Sequence, residues 1–113
     1  MRLAVILVHY HTPDLAAAAV AALRADLARP ESAGVEAGWI LVDNGSDAAG
    51  RARLDGLPVE RIDPGENLGY AGAVNLGVAR SLRTNPDAFL LLNPDVQVLP
   101  GCVPALLGAL RSG

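Results

Sequence analysis

Three short runs of this chain are apolar at every position: Leu3 to Val8, Trp39 to Val42 and Phe89 to Leu92. A strand with one wet face alternates apolar and polar residues, whereas a short unbroken run bounded by turn signals reads as a strand covered on both faces. Strands of that kind belong to parallel sheets, whose crossover helices cover the two faces. The sequence between the runs supplies the helices. Thr12-Pro13-Asp14 offers a cap, a first-turn proline and an acid for the positive end of a helix dipole, which predicts a helix from about Pro13 to Ala28. Its stripe is Leu15, Ala19, Leu23 and Leu27. Pro30 to Gly38 reads as a surface loop. A weak helical stretch around Ala48 to Leu54 precedes Val59 to Ile62, whose alternation suggests a third strand nearer an edge. A helix from about Ala71 to Leu82, with Val74, Val78 and Leu82 on one face, leads to the strand Ala88 to Leu92. A last helix, Val103 to Leu110, starts after Pro100-Gly101. This β-α alternation is the pattern of an α/β fold with right-handed crossovers.

At 113 residues the chain has the length of one domain. Only 4% of it is aromatic while 51% is hydrophobic, so the core rests on Ala, Leu and Val. All nine basic residues are Arg, the net charge is −3, and no basic cluster exists, which removes the electrostatic basis for nucleic-acid binding. Without any Lys there is no Walker phosphate loop. Cys102 is the single cysteine, so neither an internal disulfide nor a thiolate metal cluster can form, and a reducing cytoplasm fits. The apolar start, Leu3 to Val8, is too short for a signal peptide's core or a membrane span.

Two of the apolar runs end in acids. Trp39 to Val42 delivers Asp43-Asn44-Gly45-Ser46-Asp47, and Phe89 to Leu92 delivers Asn93-Pro94-Asp95. Ligands of open α/β sheets sit outside the carboxyl ends of the strands, where a carboxylate can reach a ribose, a base or a metal. Asn-Pro-Asp is equally a good β-turn sequence. A diphosphate bound by a negative protein without Lys calls for a hard divalent cation, and Asp95 is its obvious ligand. Asn93 can bond a ribose hydroxyl or a metal-bound water. Asp43 can accept from a pyrimidine imide N–H or a ribose hydroxyl, and as a residue past its strand it should contribute little to the core. The bland reading is an Asx turn into a short helix capped by Ser46 or Asp47.

Asn67-Leu68-Gly69-Tyr70-Ala71-Gly72-Ala73-Val74-Asn75-Leu76-Gly77 does not have the spacing of a dinucleotide-binding loop. Its small residues let a helix start approach something closely, with Asn75 one turn beyond Ala71; for Gly72 alone, tight packing on the sheet is the favoured reading. Tyr10 can line a nucleobase pocket or cover the core edge. His9 and His11 share a direction at a strand end, but no third ligand is near, and they read as solvated loop histidines.

The ordered set VHYHTPDL, WILVDNGSD, ENLGYAGAVNLG and FLLLNPDVQVLPG resembles the amino-terminal, nucleotide-sugar-binding half of a family 2 glycosyltransferase, in the rhamnosyltransferase-like branch with NPD in place of D-x-D. The resemblance covers nearly the whole chain. It implies half of a GT-A fold: a Rossmann-like parallel sheet of order 3-2-1-4 with helices on both faces and a site at the switch point between strands 1 and 4. It implies inverting transfer from a dTDP- or UDP-linked sugar to an acceptor glycan or glycolipid in cell-surface polysaccharide synthesis, with Mg2+ or Mn2+ as cofactor. By residue, it places Tyr10 and Asp43 around the nucleoside, Asn67 and Asn75 near base or ribose, and Asp95 on the metal and diphosphate, with Gly69 and Asn93 also among the nucleotide-sugar-binding residues. The general base and acceptor site of such enzymes fall beyond Gly113, so residues 1–113 read as an incomplete domain, a fragment or a natural short relative. An open sheet edge then invites a homodimer. The location implied is cytoplasmic, with a peripheral place at the inner membrane face. The alternatives are a non-catalytic or truncated nucleotide-sugar-binding module, and a nucleotidyltransferase, which would want a Gly-rich basic loop where His9-Tyr10-His11-Thr12 stands.

Overall fold

The computed structural model describes residues 1–112. Four parallel strands, β1 (Arg2–His9), β2 (Glu36–Asp43), β3 (Glu60–Ile62) and β4 (Ala88–Leu92), form one sheet in the order β3-β2-β1-β4. Four helices connect and follow them: α1 (Pro13–Leu27), α2 (Ala48–Leu54), α3 (Gly69–Ser81) and α4 (Cys102–Ser112). The fold class, the strand order and the edge position of the third strand are those read from the sequence.

Side chains alternate across the central strand, as the pleat requires. Leu3, Val5 and Leu7 pack with Ala16, Ala19, Val20 and Leu23 of α1, Leu54 of α2, and Val103 and Leu107 of α4. Ala4 and Ile6 face the other way, with Ile40, Val42 and Ala73 of α3. Helices therefore cover both faces. Full burial of side chains such as Leu23 and Leu41 stabilises the fold by about 1.5–3 kcal/mol each.

Several local expectations are corrected. The stripe of α1 is Ala16, Ala19, Val20 and Leu23, while Leu15 is exposed and lies at the cleft described below. Thr12 precedes α1 without a side-chain cap bond. The segment read as loop up to Gly38 already pairs from Glu36, in register with Arg2 to Ala4 of β1. On α3 the fully buried positions are Ala73, Gly77 and Ser81; of the expected face Val78 is half-buried against the core, whereas Leu82 is exposed. A Cβ at Gly77 would lie 2.6 Å from Ile6 Cγ2, whereas one at Gly72 would meet only Leu68 of its own turn. The glycine that lets this helix approach the sheet is thus Gly77.

β4 lies at the edge of the sheet, and its uniform apolarity does not mean cover on both sides. Leu90 and Leu92 pack toward α1 and α4, but Phe89 and Leu91 are 43% and 46% exposed on the face of α3. α3 lies against β1 and β2. No helix among the described residues is long and apolar enough to cross a membrane.

Candidate functional site

The carboxyl ends of β1, β2 and β4 open on a cleft of about 500 Å³. Val8, Tyr10, Thr12 and Leu15 form one part of its lining, Asn44 extends from β2, and Asn67, Gly69 and Tyr70 stand at the start of α3. Asn93, Pro94 and Asp95 complete it. Tyr10, Asn67, Gly69, Asn93 and Asp95 of the sequence-derived residues thus share one cleft. Asn75 is exposed on α3, and Asp43 is buried; neither is part of the lining.

The end of β2 is tied to its neighbours by a dense polar network. Asp43 is the register partner of His9 on β1, and both are buried, at 4% and 0% exposure. Asp43 Oδ1 lies 3.1 Å from His9 Nδ1, and accepts from the Ser46 hydroxyl at 2.8 Å and the Gly45 N–H at 3.2 Å. The Thr12 backbone N–H donates to His9 Nε2 at 2.9 Å. An N–H can only donate, so Nε2 is the bare nitrogen of a neutral ring, and Nδ1 carries the proton that goes to Asp43. Burial pushes the Asp43 carboxyl up; the bonds from His9, Ser46 and Gly45 outweigh it and hold the group below the ordinary 3.8.

Two expectations fall here. His9 is not a solvated loop histidine but the fully buried partner of an acid. Asp43 is not a dispensable residue past its strand, because its removal would leave buried donors without an acceptor. Asp47 does act as a cap, its Oδ1 accepting from the Gly50 N–H at 2.7 Å.

Asn44 extends the network to α3. Its Nδ2 donates to Gly69 O and its Oδ1 accepts from the Leu68 N–H, both at 2.9 Å. Gly69 holds φ +71°, a left-handed conformation that glycine takes without strain, and its N–H donates to Asn67 Oδ1 at 2.8 Å. A Cβ at Gly45 would meet Tyr10 Cε1 at 2.9 Å, so the Asn44-Gly45 turn is also what leaves room for the Tyr10 ring.

The end of β4 is open by contrast. Asn93 O accepts from the Val96 N–H at 3.1 Å, which makes the β-turn reading true as well. Asn93 Oδ1 accepts from the Tyr70 hydroxyl at 3.2 Å. The Asp95 side chain is exposed in the cleft, and among the described residues it makes no ion pair. No three His, Cys, Asp or Glu side chains come together as a metal cage among those residues. A hard divalent ion that keeps its waters and takes phosphate oxygens needs only one or two protein carboxylates, and the unpaired oxygens of Asp95 fit that demand.

Sequence reasoning did not single out Tyr70, Asn44, Thr12 or Leu15 for the cleft. An aromatic directly after Asn67-Leu68-Gly69 at a helix start was the available signal for Tyr70; for Asn44 the signal lies in partners distant along the chain, Leu68 and Gly69.

The sequence profile of the family described as glycosyl transferase family 2 matches residues 4–113. Among characterised proteins, an N-acetylglucosaminyl-diphospho-decaprenol L-rhamnosyltransferase of Mycobacterium tuberculosis is 40% identical over 80 residues, which is 62% of this chain and 26% of that protein. The low-salt glycan biosynthesis hexosyltransferase Agl10 of Haloferax volcanii is 36% identical over 61 residues, 53% of this chain and 20% of that protein. The matches thus span about a quarter or less of these relatives' own lengths.

Proposed function

The chain belongs to glycosyl transferase family 2, and from that premise we propose that it holds the nucleotide-diphospho-sugar donor of an inverting sugar transfer to an acceptor hydroxyl. The observation that carries this reading is the cleft itself: an unpaired carboxylate past one strand and an aromatic past another share a concave site at the carboxyl ends of a parallel sheet.

Tyr10 covers the base and Asn67 bonds base or ribose. Asp43, buried outside the lining at 4% exposure, supports the nucleoside end from behind through its bonds to His9, Ser46 and Gly45 rather than through contact with the ligand. Asn93 and Asp95 face the diphosphate. The family generally uses a divalent metal, and Asp95 would hold Mg2+ or Mn2+ here; when bound, the ion neutralises the charge that develops on the leaving diphosphate. No general base is assigned to the described residues.

The names of the two relatives support a hexose or rhamnose as the sugar transferred and a glycan or lipid-diphosphate-linked sugar as acceptor; a dTDP- or UDP-linked donor, polysaccharide synthesis and a cytoplasmic place, peripheral to the inner membrane, belong to the same proposal. The exposed Phe89 and Leu91 on the edge strand suit a second copy of the chain, so sedimentation is expected to show a dimer; a monomer at high concentration contradicts that part.

The test of donor binding is calorimetric titration with UDP and dTDP, with Mn2+ and then with chelator. Affinity is expected to fall at least about tenfold on chelation. Equal affinities, or an unchanged metal dependence in Asp95→Ala, contradict the reading.

A further inference from the structure

His9 lies outside the cleft lining, yet it is the most completely enclosed polar side chain near it, at 0% exposure. Its two nitrogens serve two different walls of the nucleoside end. Nδ1 meets Asp43 on β2, and Nε2 accepts the Thr12 N–H at the start of α1. Between them the chain makes a tight reversal: His11 holds φ +52°, a left-handed conformation that a non-glycine residue adopts at a cost. The His11 N–H donates to Gly45 O at 3.1 Å. Tyr10 stands at the tip of this reversal, edge-on to His11 with ring centroids 4.4 Å apart. A strained turn persists only where its surroundings hold it, and the Thr12 bond to His9 is a side-chain tether that does so.

We propose that His9 is a positioning residue for nucleoside recognition: fixed in one tautomer by its Nδ1 bond to the buried Asp43, it holds through Nε2 the turn that presents Tyr10 to the cleft. This rests on the nucleoside end of the proposed function. An imidazole suits the role because one ring offers a donor and an acceptor about 2 Å apart on opposed edges. Leucine fills a similar volume with neither. Glutamine reaches the place of Nε2 and can keep the Thr12 bond. The diphosphate end is independent of His9, since none of its contacts reach Asn93 or Asp95.

Two measurements test the proposal. Long-range 1H–15N correlation spectra of the unsubstituted chain are expected to place the His9 proton on Nδ1; a proton on Nε2 overturns the geometry without any variant. His9→Leu and His9→Gln are then titrated with UDP and with inorganic pyrophosphate, both with Mn2+, after thermal melts identify the temperature at which each is folded. His9→Leu should bind UDP about tenfold more weakly or worse and pyrophosphate within about twofold of the parent, with His9→Gln losing less UDP affinity than His9→Leu. Unchanged UDP affinity in a folded His9→Leu, or equal losses for both ligands, overturns the positioning role. If the unsubstituted chain binds pyrophosphate with Mn2+ but no UDP, nucleoside recognition itself fails and this inference falls with it, an outcome distinct from a failure at His9 alone.

Discussion

The ends of β2 and β4 carry acids after similar apolar runs, yet they are built in opposite ways. Asp43 sits directly across from His9 in the sheet register and is buried at 4% exposure under three hydrogen bonds. Asp95 lies beyond Leu92, the last residue of β4 to pair with β1, and its carboxylate is exposed in the cleft. One acid is organised by the protein before any ligand arrives; the other is left to be organised by what binds. The neighbour across the ladder, His9, and the turn that follows the acid, with Gly45 and Ser46, together decide which kind this strand-end carboxylate becomes. A buried carboxylate satisfied by protein donors fixes the shape of the strand ends, whereas a free carboxylate suits an ion that brings its own waters and phosphates.

The largest effect should come from Asp43→Ala, which strands the buried Nδ1 proton of His9 and the Ser46 hydroxyl. A loss of about 2–4 kcal/mol is expected in denaturant unfolding, against less than about 0.5 kcal/mol for Asp95→Ala. Equal losses would erase the contrast. Next in size is Asn44→Ala, expected to cost about 1–2 kcal/mol because it frees the Leu68 N–H and the Gly69 carbonyl. Asn93→Ala should be nearly silent in the same melts.

A smaller effect concerns pH. The folded-state value of the Asp43 carboxyl is depressed, so its stabilising contribution is fully present above the unfolded value, 3.8, and is lost as pH falls through the folded one. The stability gap between the chain and Asp43→Asn should therefore narrow as the pH is lowered past 3.8, followed by chemical unfolding at a series of pH values. A gap that stays constant or widens would mean the carboxylate is not held by its donors.

The central strands, their order and the helix positions were legible because unbroken apolar runs and Pro or Gly punctuation survive any tertiary context. The start of β2 was not: Glu36 to Gly38 alternates exposed and half-buried positions and contains a glycine, so nothing local marks it, and its pairing with Arg2 to Ala4 is what makes it strand. The buried face of α3 was misjudged because the Val positions look like core, whereas close approach to Ile6 selects Ala73 and Gly77. At the site, Asp95 and Tyr10 could be found as an acid and an aromatic at strand ends. His9 could not be understood from sequence alone, since its partners Asp43 and Ser46 lie on another strand and the loop that follows it. The Asn44 clasp is equally nonlocal.

The most direct test of the account is paramagnetic line broadening by Mn2+ in 1H–15N spectra of the chain saturated with UDP. The expected result is broadening centred on the amides of Asn93 and Asp95, reaching Gly69 and Tyr70 across the cleft, with the amides of Arg2, Glu36 and Thr84 at the opposite end of the sheet unaffected. Broadening centred away from Asp95, or the same pattern in Asp95→Ala, would contradict the claim that the open end of β4 is where the metal and diphosphate are held.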